Sequence, residues 1–297
     1  DSPYGTIELQ HNFMTDESSQ KLFDAMDFQR ACQAHIWSIP LVDMITWRDE
    51  QNRIYGTGQM GVFAVLTSLK EKRGIVTGNL TTPYIFVFYN LERGALVVDY
   101  PAGPTAGGFL DFWQRPVIDT GFTGPDQAQG GKYIIVGPED DLGNYEGIEA
   151  YFHQSPTNNV LFGLRILDPK PEFAKHIETT IKMGKFGEPL QNCTFNAGID
   201  QEWSATPRRG LEYWRALHAI IQQEPVREQD KVWMALLEPL GIQKGEPFNP
   251  DERQIRILLE GAAMGELMAR NIQVNPRFAK SYWIGTSWYK SFDFTIP

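Results

Sequence analysis

The chain has 297 residues, which is enough for one large domain or two ordinary ones. Apolar residues make up 42% of it and aromatic residues 12%, so the composition excludes a disordered protein. The formal net charge is −10 and no run of Lys or Arg occurs, which argues against a nucleic-acid-binding protein.

The sequence carries no motif for a membrane span, a nucleotide or a zinc ion. No apolar stretch reaches spanning length, and the chain opens at Asp1 without a signal sequence. No P-loop, GxGxxG or GxSxG follows a strand, so no cofactor is predicted. Cys32 and Cys193 lie far apart, and two buried thiols are the simpler interpretation, with a single disulfide as the alternative. Calcium binding through scattered oxygen ligands is a third candidate function, because calcium sites need no histidine.

The first predicted element is a helix over residues 16–37. Asp16 and Glu17 lie where a helix N-terminus favours acids, and the apolar residues that follow have helical spacing. Pro40 is expected to end this helix. The apolar stretch 40–49 could continue as a second helical piece.

Short β-branched and aromatic runs, separated by Gly, Pro and Asn, occupy residues 61–169. Runs 84–89 and 95–100 flank a turn at 90–94, so a hairpin is predicted over 84–100. Further strands are predicted at 132–136 and 159–167, and the glycines of 103–108 are interpreted as a turn. Many short strands without long helices between them favour a sandwich or jelly roll.

The last third of the chain has helical spacing again. Helices are predicted after Thr206-Pro207, over 232–240 with Gly241 as the end, and from Pro250-Asp251 onward. Gly261 and Gly265 lie four apart and indicate a close packing contact. The aromatic run 282–294 is expected to begin a further element.

The predicted fold class is mainly β with flanking helices (α+β) and a β-sandwich or jelly-roll-like core. The expected segments are an N-terminal helical segment packing on the core, a β-sandwich domain, a helical segment, and the start of a second β domain that continues past the chain. Their predicted bounds are 1–60, 61–205, 206–275 and 276–297.

Polar residues of the β region are the candidates for a functional site. Asp119, Asp126 and Arg165 are the candidate catalytic residues. Arg165 lies in an otherwise apolar strand and requires a carboxylate partner, which Asp119 or Asp126 could supply, and a purely structural ion pair is the alternative. Carboxylates beside aromatic rings suit a sugar or another polar organic ligand. The candidate ligand-binding residues are Tyr84, Asp111, Trp113, Lys132 and Tyr133.

Several motifs, taken together, resemble one bacterial family. They are GFTGPD at 121–126, GGKYIIVGP at 130–138, WSIPLVDM at 37–44, and the segments 82–84, 109–113, 155–165 and 240–248. Their combination, from about residue 20 to 270, is similar to the domain-of-unknown-function family 1254. The resemblance implies jelly-roll-like β layers, export to the periplasm or beyond the cell, and continuation into a domain of unknown function 1214. It implies no activity and no catalytic residues.

Two functions are consistent with these features. The first is a binding or assembly module, with a homo-oligomer or the C-terminal domain of the same protein as partner, and with a small polar ligand as a further candidate. The alternative is a hydrolase-type enzyme that uses paired carboxylates on a polar organic or sugar-like substrate. It requires Asp119 and Asp126 to flank one cleft within about a nanometre of each other. The sequence does not decide whether the protein is an enzyme.

Overall fold

The computed structural model describes residues 2–66, 82–197, 202–277, 279–286 and 288–289. The chain divides into two compact units. The first unit comprises Asp1–Ile39, Arg209–Arg215 and Gln229–Pro297, and the second comprises Pro40–Arg208 and Ala216–Glu228. The predicted α+β class, with sheets in the middle of the chain and helices flanking them, is confirmed. The jelly-roll-like order and the four predicted segments stay predictions.

The helices and strands were numbered in chain order. The helices are α1 (Asp16–Tyr55), α2 (Pro171–Thr180), α3 (Leu211–Gln223), α4 (Lys231–Leu237) and α5 (Glu252–Val274). The strands are β1 (Leu9–Gln10), β2 (Phe13–Met14), β3 (Val62–Leu66), β4 (Tyr84–Asn90), β5 (Leu96–Tyr100), β6 (Thr105–Asp111), β7 (Pro116–Gly121), β8 (Gly131–Val136), β9 (Tyr151–Gln154), β10 (Asn159–Ile166), β11 (Lys182–Lys185), β12 (Gln191–Asn192) and β13 (Thr194–Asn196). No described helix has the length and apolarity that crossing a membrane requires.

The second unit is built on two sheets. One has six strands in the order β13-β3-β4-β10-β6-β7, and the other has five in the order β12-β11-β5-β8-β9. Side chains of both sheets form one hydrophobic cluster, which includes Val87 and Phe162 from the first sheet and Val98 and Ile135 from the second. Because side chains alternate along a strand, the neighbours of Val87, namely Phe86 and Phe88, point to the opposite side. We call that side of the six-stranded sheet the outer face.

The hairpin predicted over residues 84–100 is wrong, although both of its strands form. β4 pairs with β3 and β10, whereas β5 pairs with β8 and β11 in the other sheet. A 3-10 turn at Leu91–Arg93 carries the chain from one sheet to the other, with Gly94 at φ 117°. β4 is apolar on both sides and β5 has Asp99 as its only charged residue, so neither strand has the regular alternation that would have fixed its partners.

The expectation that Pro40 ends the first helix is also wrong, since α1 continues through Pro40 to Tyr55. A proline inside a helix removes one hydrogen bond and crowds the carbonyl four residues earlier, at a cost of about 3 kcal/mol. The turns that follow bury Leu41, Val42 and Ile45 almost completely. Each such side chain contributes about 1.5–3 kcal/mol, which offsets the cost of the proline.

Other predictions concerned two strands, a turn, a helix start and the two cysteines. The strands predicted at 132–136 and 159–167 are confirmed as β8 and β10. The turn predicted at 103–108 is wrong, because β6 begins at Thr105 and contains Gly107 and Gly108. The helix expected after Thr206-Pro207 begins later, at Leu211, after Gly210 with φ 60°. Cys32 and Cys193 are both free thiols, so the disulfide alternative is wrong.

The first unit contains the close helix contact that Gly261 and Gly265 indicated. Asp251 caps α5 through a capping box with Gln254. A Cβ atom at Gly261 would lie 2.4 Å from the Cβ of Ala31 in α1, and one at Gly265 would lie 2.6 Å from the Cβ of His35. The predicted packing contact is therefore confirmed, and the glycines allow it because they lack a side chain.

Replacing Gly261 with alanine is expected to lower the free energy of unfolding by about 1–3 kcal/mol, because the new methyl group overlaps Ala31. At an ordinary helix position the same change would stabilise the protein by about 1 kcal/mol. Thermal unfolding of Gly261→Ala, Ala31→Gly and the double variant measures the effect as a cycle. A destabilisation that Ala31→Gly does not relieve would contradict the contact.

Candidate functional site

The register of four strands leaves an area of the outer face without side chains, which we call the floor. Phe86 on β4 pairs with Gly163 on β10, and Gly163 pairs with Gly108 on β6. Gly108 in turn pairs with Asp119 on β7. Directly paired residues point to the same side of a sheet, so these four residues form one row across the outer face. The two glycines in its middle leave that part of the sheet without side chains.

The neighbouring rows and helix α1 provide the walls. On one side Leu161 pairs with Leu110, and on the other Arg165 pairs with Tyr84 and with Ala106. The ring of Trp47, from the part of α1 in the same unit, lies 5.0 Å from that of Phe86. The resulting cavity has a volume of about 280 Å³. We call it the groove, and its lining is mostly apolar and aromatic, as is usual for sites of small organic ligands.

Two charged side chains, Arg165 and Asp119, stand at the groove. Both are exposed, and neither forms an ion pair with any residue that the structure describes. The guanidinium carbon of Arg165 lies 4.5 Å from the ring centre of Tyr84. Asp119 lies on β7, two strands from Arg165 on β10, and is displaced by two residues along the strand direction. The Cα atoms of the two residues are therefore about 12 Å apart. The two charges therefore lie diagonally across the glycine floor.

Asp126, in the loop between β7 and β8, and Tyr133, on β8, are joined by a buried hydrogen bond and do not line the groove. Asp126 Oδ1 accepts hydrogen bonds from Gly121 N at 2.7 Å and from Tyr133 Oη at 2.5 Å, and its Oδ2 accepts one from Gly130 N at 3.2 Å. Burial, and then the hydrogen bond to Asp126, raises the pKa of Tyr133. Asp126 therefore holds the 121–133 loop in place.

Asp111, Trp113 and Lys132 also lie away from the groove. Asp111 is 1% exposed and accepts hydrogen bonds from the backbone N–H of Trp113 and Arg115, and it forms an ion pair with the Arg115 side chain at 2.9 Å. The guanidinium carbon of Arg227 lies 4.2 Å from the centre of a Trp113 ring. Lys132 is exposed on the five-stranded sheet, opposite Asp99.

The structure thus brings together three of the eight candidates, Tyr84, Asp119 and Arg165. The carboxylate pair required by the hydrolase alternative does not share the groove, since Asp119 lines it and Asp126 does not. Within the described residues, no three His, Cys, Asp or Glu side chains cluster in a way that would hold a metal ion.

Sequence reasoning missed the groove residues Trp47, Gly108 and Gly163. A glycine inside a strand is a known sign of close backbone approach or of a site left open. A Cβ atom at neighbouring Gly107 would lie 2.2 Å from the carbonyl oxygen of Gly163, so close approach explains that glycine. At Gly163 a Cβ would make only an ordinary contact of 3.5 Å with Phe86, so space is not what excludes a side chain there.

Three side chains on one face of helix α1, beside the groove, have buried polar atoms. Asp43, Trp47 and Gln51 are spaced by four residues and share one helix face. Asp43 Oδ1, Trp47 Nε1 and both amide atoms of Gln51 are buried and make no hydrogen bond to any described residue. Burial raises the pKa of Asp43 to about 7. A carboxyl that changes charge near neutral pH therefore lies one helical turn from a wall of the groove.

A second polar cluster joins helices α1 and α3 to the start of β10. Glu224 follows α3 directly and accepts hydrogen bonds from Asn158 N at 2.6 Å, Asn159 N at 3.0 Å and Asn159 Nδ2 at 2.7 Å. Arg48 Nη1 donates to Asn159 Oδ1 at 2.9 Å and to Gln223 Oε1 at 2.7 Å. These contacts fix the end of β10 that leads into the groove.

Fold and site together define an α+β protein whose two-sheet core carries an apolar groove on its outer face. Residues 59–184 match the family model described as "Protein of unknown function (DUF1254)". The match confirms the resemblance drawn from the motifs, and its range includes every groove residue except Trp47. The expected continuation into a domain of unknown function 1214 stays a prediction.

A solved structure has a similar fold. The crystal structure of the VPA0106 protein from Vibrio parahaemolyticus aligns with a TM-score of 0.57 and 12% sequence identity, over 86% of this chain. The chain spans 61% of the length of that protein chain. At this identity the similarity concerns the fold alone. No curated protein matches the sequence significantly.

Proposed function

We propose that the protein is a binding module that holds a small organic ligand in the groove. The observation that carries the proposal is Gly163, where a side chain would have room, beside Gly108, where a Cβ would lie 2.5 Å from the carbonyl oxygen of Ile118. Together they leave the sheet without side chains between apolar walls. A packed sheet face normally fills such a space with side chains, because voids lose packing energy. An open apolar floor with charged groups at its edge has the composition of a ligand site.

A cavity-filling substitution tests this proposal. Gly163→Leu places a side chain over the floor without a backbone clash, since its Cβ would meet Phe86 at 3.5 Å. The probe is 1-anilinonaphthalene-8-sulfonate, whose fluorescence rises in apolar sites. The wild-type protein is expected to bind it saturably, and Gly163→Leu is expected to weaken that binding about tenfold or more, because the ring system loses its burial.

The control for this experiment is Leu142→Ser. Leu142 lies in the same unit, is 45% exposed and does not line the groove, so its replacement changes exposed apolar surface elsewhere. This control is expected to keep the saturable binding. Unchanged binding in Gly163→Leu, with the fold intact by circular dichroism, would refute the groove as the ligand site.

The finer parts of the proposal concern assembly and location. Large apolar side chains exposed on the first unit support an interface with a second copy or with a C-terminal domain. They include Leu267, Val274, Trp283 and Ile284. Residues 278, 287 and 290–297 of the segment expected to begin a second β domain lie outside the described residues. The periplasmic or secreted location rests on the family resemblance.

A further inference from the structure

We infer that the ligand of the groove is a monoanion: an apolar, planar body that carries one carboxylate, which Arg165 binds. This inference rests on the proposed function and specifies the class of ligand. Three features carry it: the position of Arg165, the contact of its guanidinium group with the Tyr84 ring, and the composition of the floor between Arg165 and Asp119.

The first feature is an arginine that lines the groove without an ionic partner in the described residues. Arg165 follows Gly163 on the same strand with one residue between them, so both point to the outer face. The carboxylates proposed as its partners from the sequence do not pair with it: Asp126 hydrogen-bonds within its own loop, and Asp119 lies across the floor. Its charge is available to a ligand.

The second feature is the cation–π contact of Arg165 with Tyr84. The guanidinium carbon lies 4.5 Å from the ring centre, and the two residues are direct partners in the β4–β10 ladder. A contact with the face of the ring uses none of the guanidinium N–H groups in a hydrogen bond to an acceptor atom, so they can donate to a ligand. Two parallel N–H groups match the two oxygens of a carboxylate, so the ring holds the arginine ready for bidentate binding.

The third feature is the composition of the floor between the charges. Ala106, Gly108 and Gly163 offer a flat surface whose backbone groups are paired within the sheet, and Phe86 and Trp47 form an aromatic wall. A planar apolar body fits between such surfaces. Asp119, at the far side of the floor, repels a second anionic group placed there. The groove should therefore select one carboxylate at the Arg165 side and a neutral end near Asp119.

Two matched probes test the preference for an anion separately from ligand binding in the groove. The probes are 2-naphthoate and 2-naphthalenemethanol, which share one ring system and differ in charge, with binding measured by titration calorimetry. The wild-type protein is expected to bind 2-naphthoate about tenfold more tightly than the alcohol, because a charge-assisted hydrogen bond forms with the anion alone. Arg165→Gln is expected to remove this preference, so that the variant binds the two probes with equal affinity.

Two further variants complete the design. Lys132→Gln removes an exposed cation from the other sheet and is expected to keep the preference. Asp119→Asn is expected to improve the binding of 2,6-naphthalenedicarboxylate relative to 2-naphthoate, since the repulsion at the far side is lost.

The outcomes distinguish the two proposals. Equal binding of both naphthalene probes by the wild-type protein, abolished by Gly163→Leu, would overturn the anion preference and retain the groove. A preference for 2-naphthoate that persists in Arg165→Gln would also overturn the role of Arg165. Absence of binding by either probe, or binding that Gly163→Leu does not weaken, would overturn both the ligand class and the groove.

Discussion

Replacing Glu224 with alanine is expected to lower the free energy of unfolding by about 3–5 kcal/mol, the effect of removing one member of a buried charged cluster. Glu224 is 5% exposed, and its two carboxylate oxygens accept three hydrogen bonds from Asn158 and Asn159. Without the carboxylate, the backbone N–H groups of Asn158 and Asn159 lose their acceptor, and each loss costs about 1–3 kcal/mol. Asn159 Nδ2 keeps only Gln223 Oε1, at 3.4 Å.

Denaturation in urea, followed by circular dichroism, measures this loss. Glu149→Ala is the matched control, because Glu149 is exposed in the same unit, and a change within about 0.5 kcal/mol is expected. Glu224→Gln keeps one acceptor oxygen and should fall between the wild type and alanine. If Glu224→Ala were as stable as the control, the cluster would not hold the start of β10.

Replacing Asp43 with asparagine is expected to change how stability depends on pH. Burial raises the pKa of Asp43 from 3.8 to about 7, so the folded protein holds a proton there that the unfolded chain has released. Stability contributed by the protonated carboxyl is complete below about pH 4 and is lost as the pH rises through about 7. A shift of about three pKa units corresponds to about 4 kcal/mol. Asparagine carries no charge and avoids this loss.

Urea denaturation at several pH values between about 4 and 8.5 tests this expectation. The asparagine variant should match the wild type near pH 4 and exceed its stability by up to about 4 kcal/mol above pH 7. Asp99→Asn is the control, since Asp99 is exposed on the five-stranded sheet, and it should keep the wild-type profile. A stability difference that stays constant with pH would show that Asp43 does not titrate on folding.

The sequence predicted elements better than it predicted their partners. β8 and β10 lie where β-branched and aromatic runs indicated, because strand composition is a local property. The partners of β4 and β5 were predicted wrongly, since pairing depends on residues far away in the chain. Pro40 shows the same limit of local prediction. A proline normally ends a helix, but α1 continues because the turns after Pro40 are buried.

The residues of the candidate site also divide into those that the sequence predicted and those that it did not. Arg165 and Asp119 were found because a charge near an apolar strand is conspicuous in the sequence. Gly108 and Gly163 were not found, because a glycine in a strand has several meanings and only the register places these two side by side. The charged candidates could be recognised singly, whereas the empty space between them exists only in the folded sheet.

The passage of the chain from β4 in one sheet to β5 in the other also affects how the second unit folds. β4 pairs with β3, which precedes it, but not with β5, which follows it; its other partner is β10, so Phe86 must find Gly163 across a long intervening segment. Closing such a loop costs conformational entropy before any contact compensates for it. The contact order of this unit is therefore high, and its folding should fall in the range of about milliseconds to seconds typical of non-local β topologies.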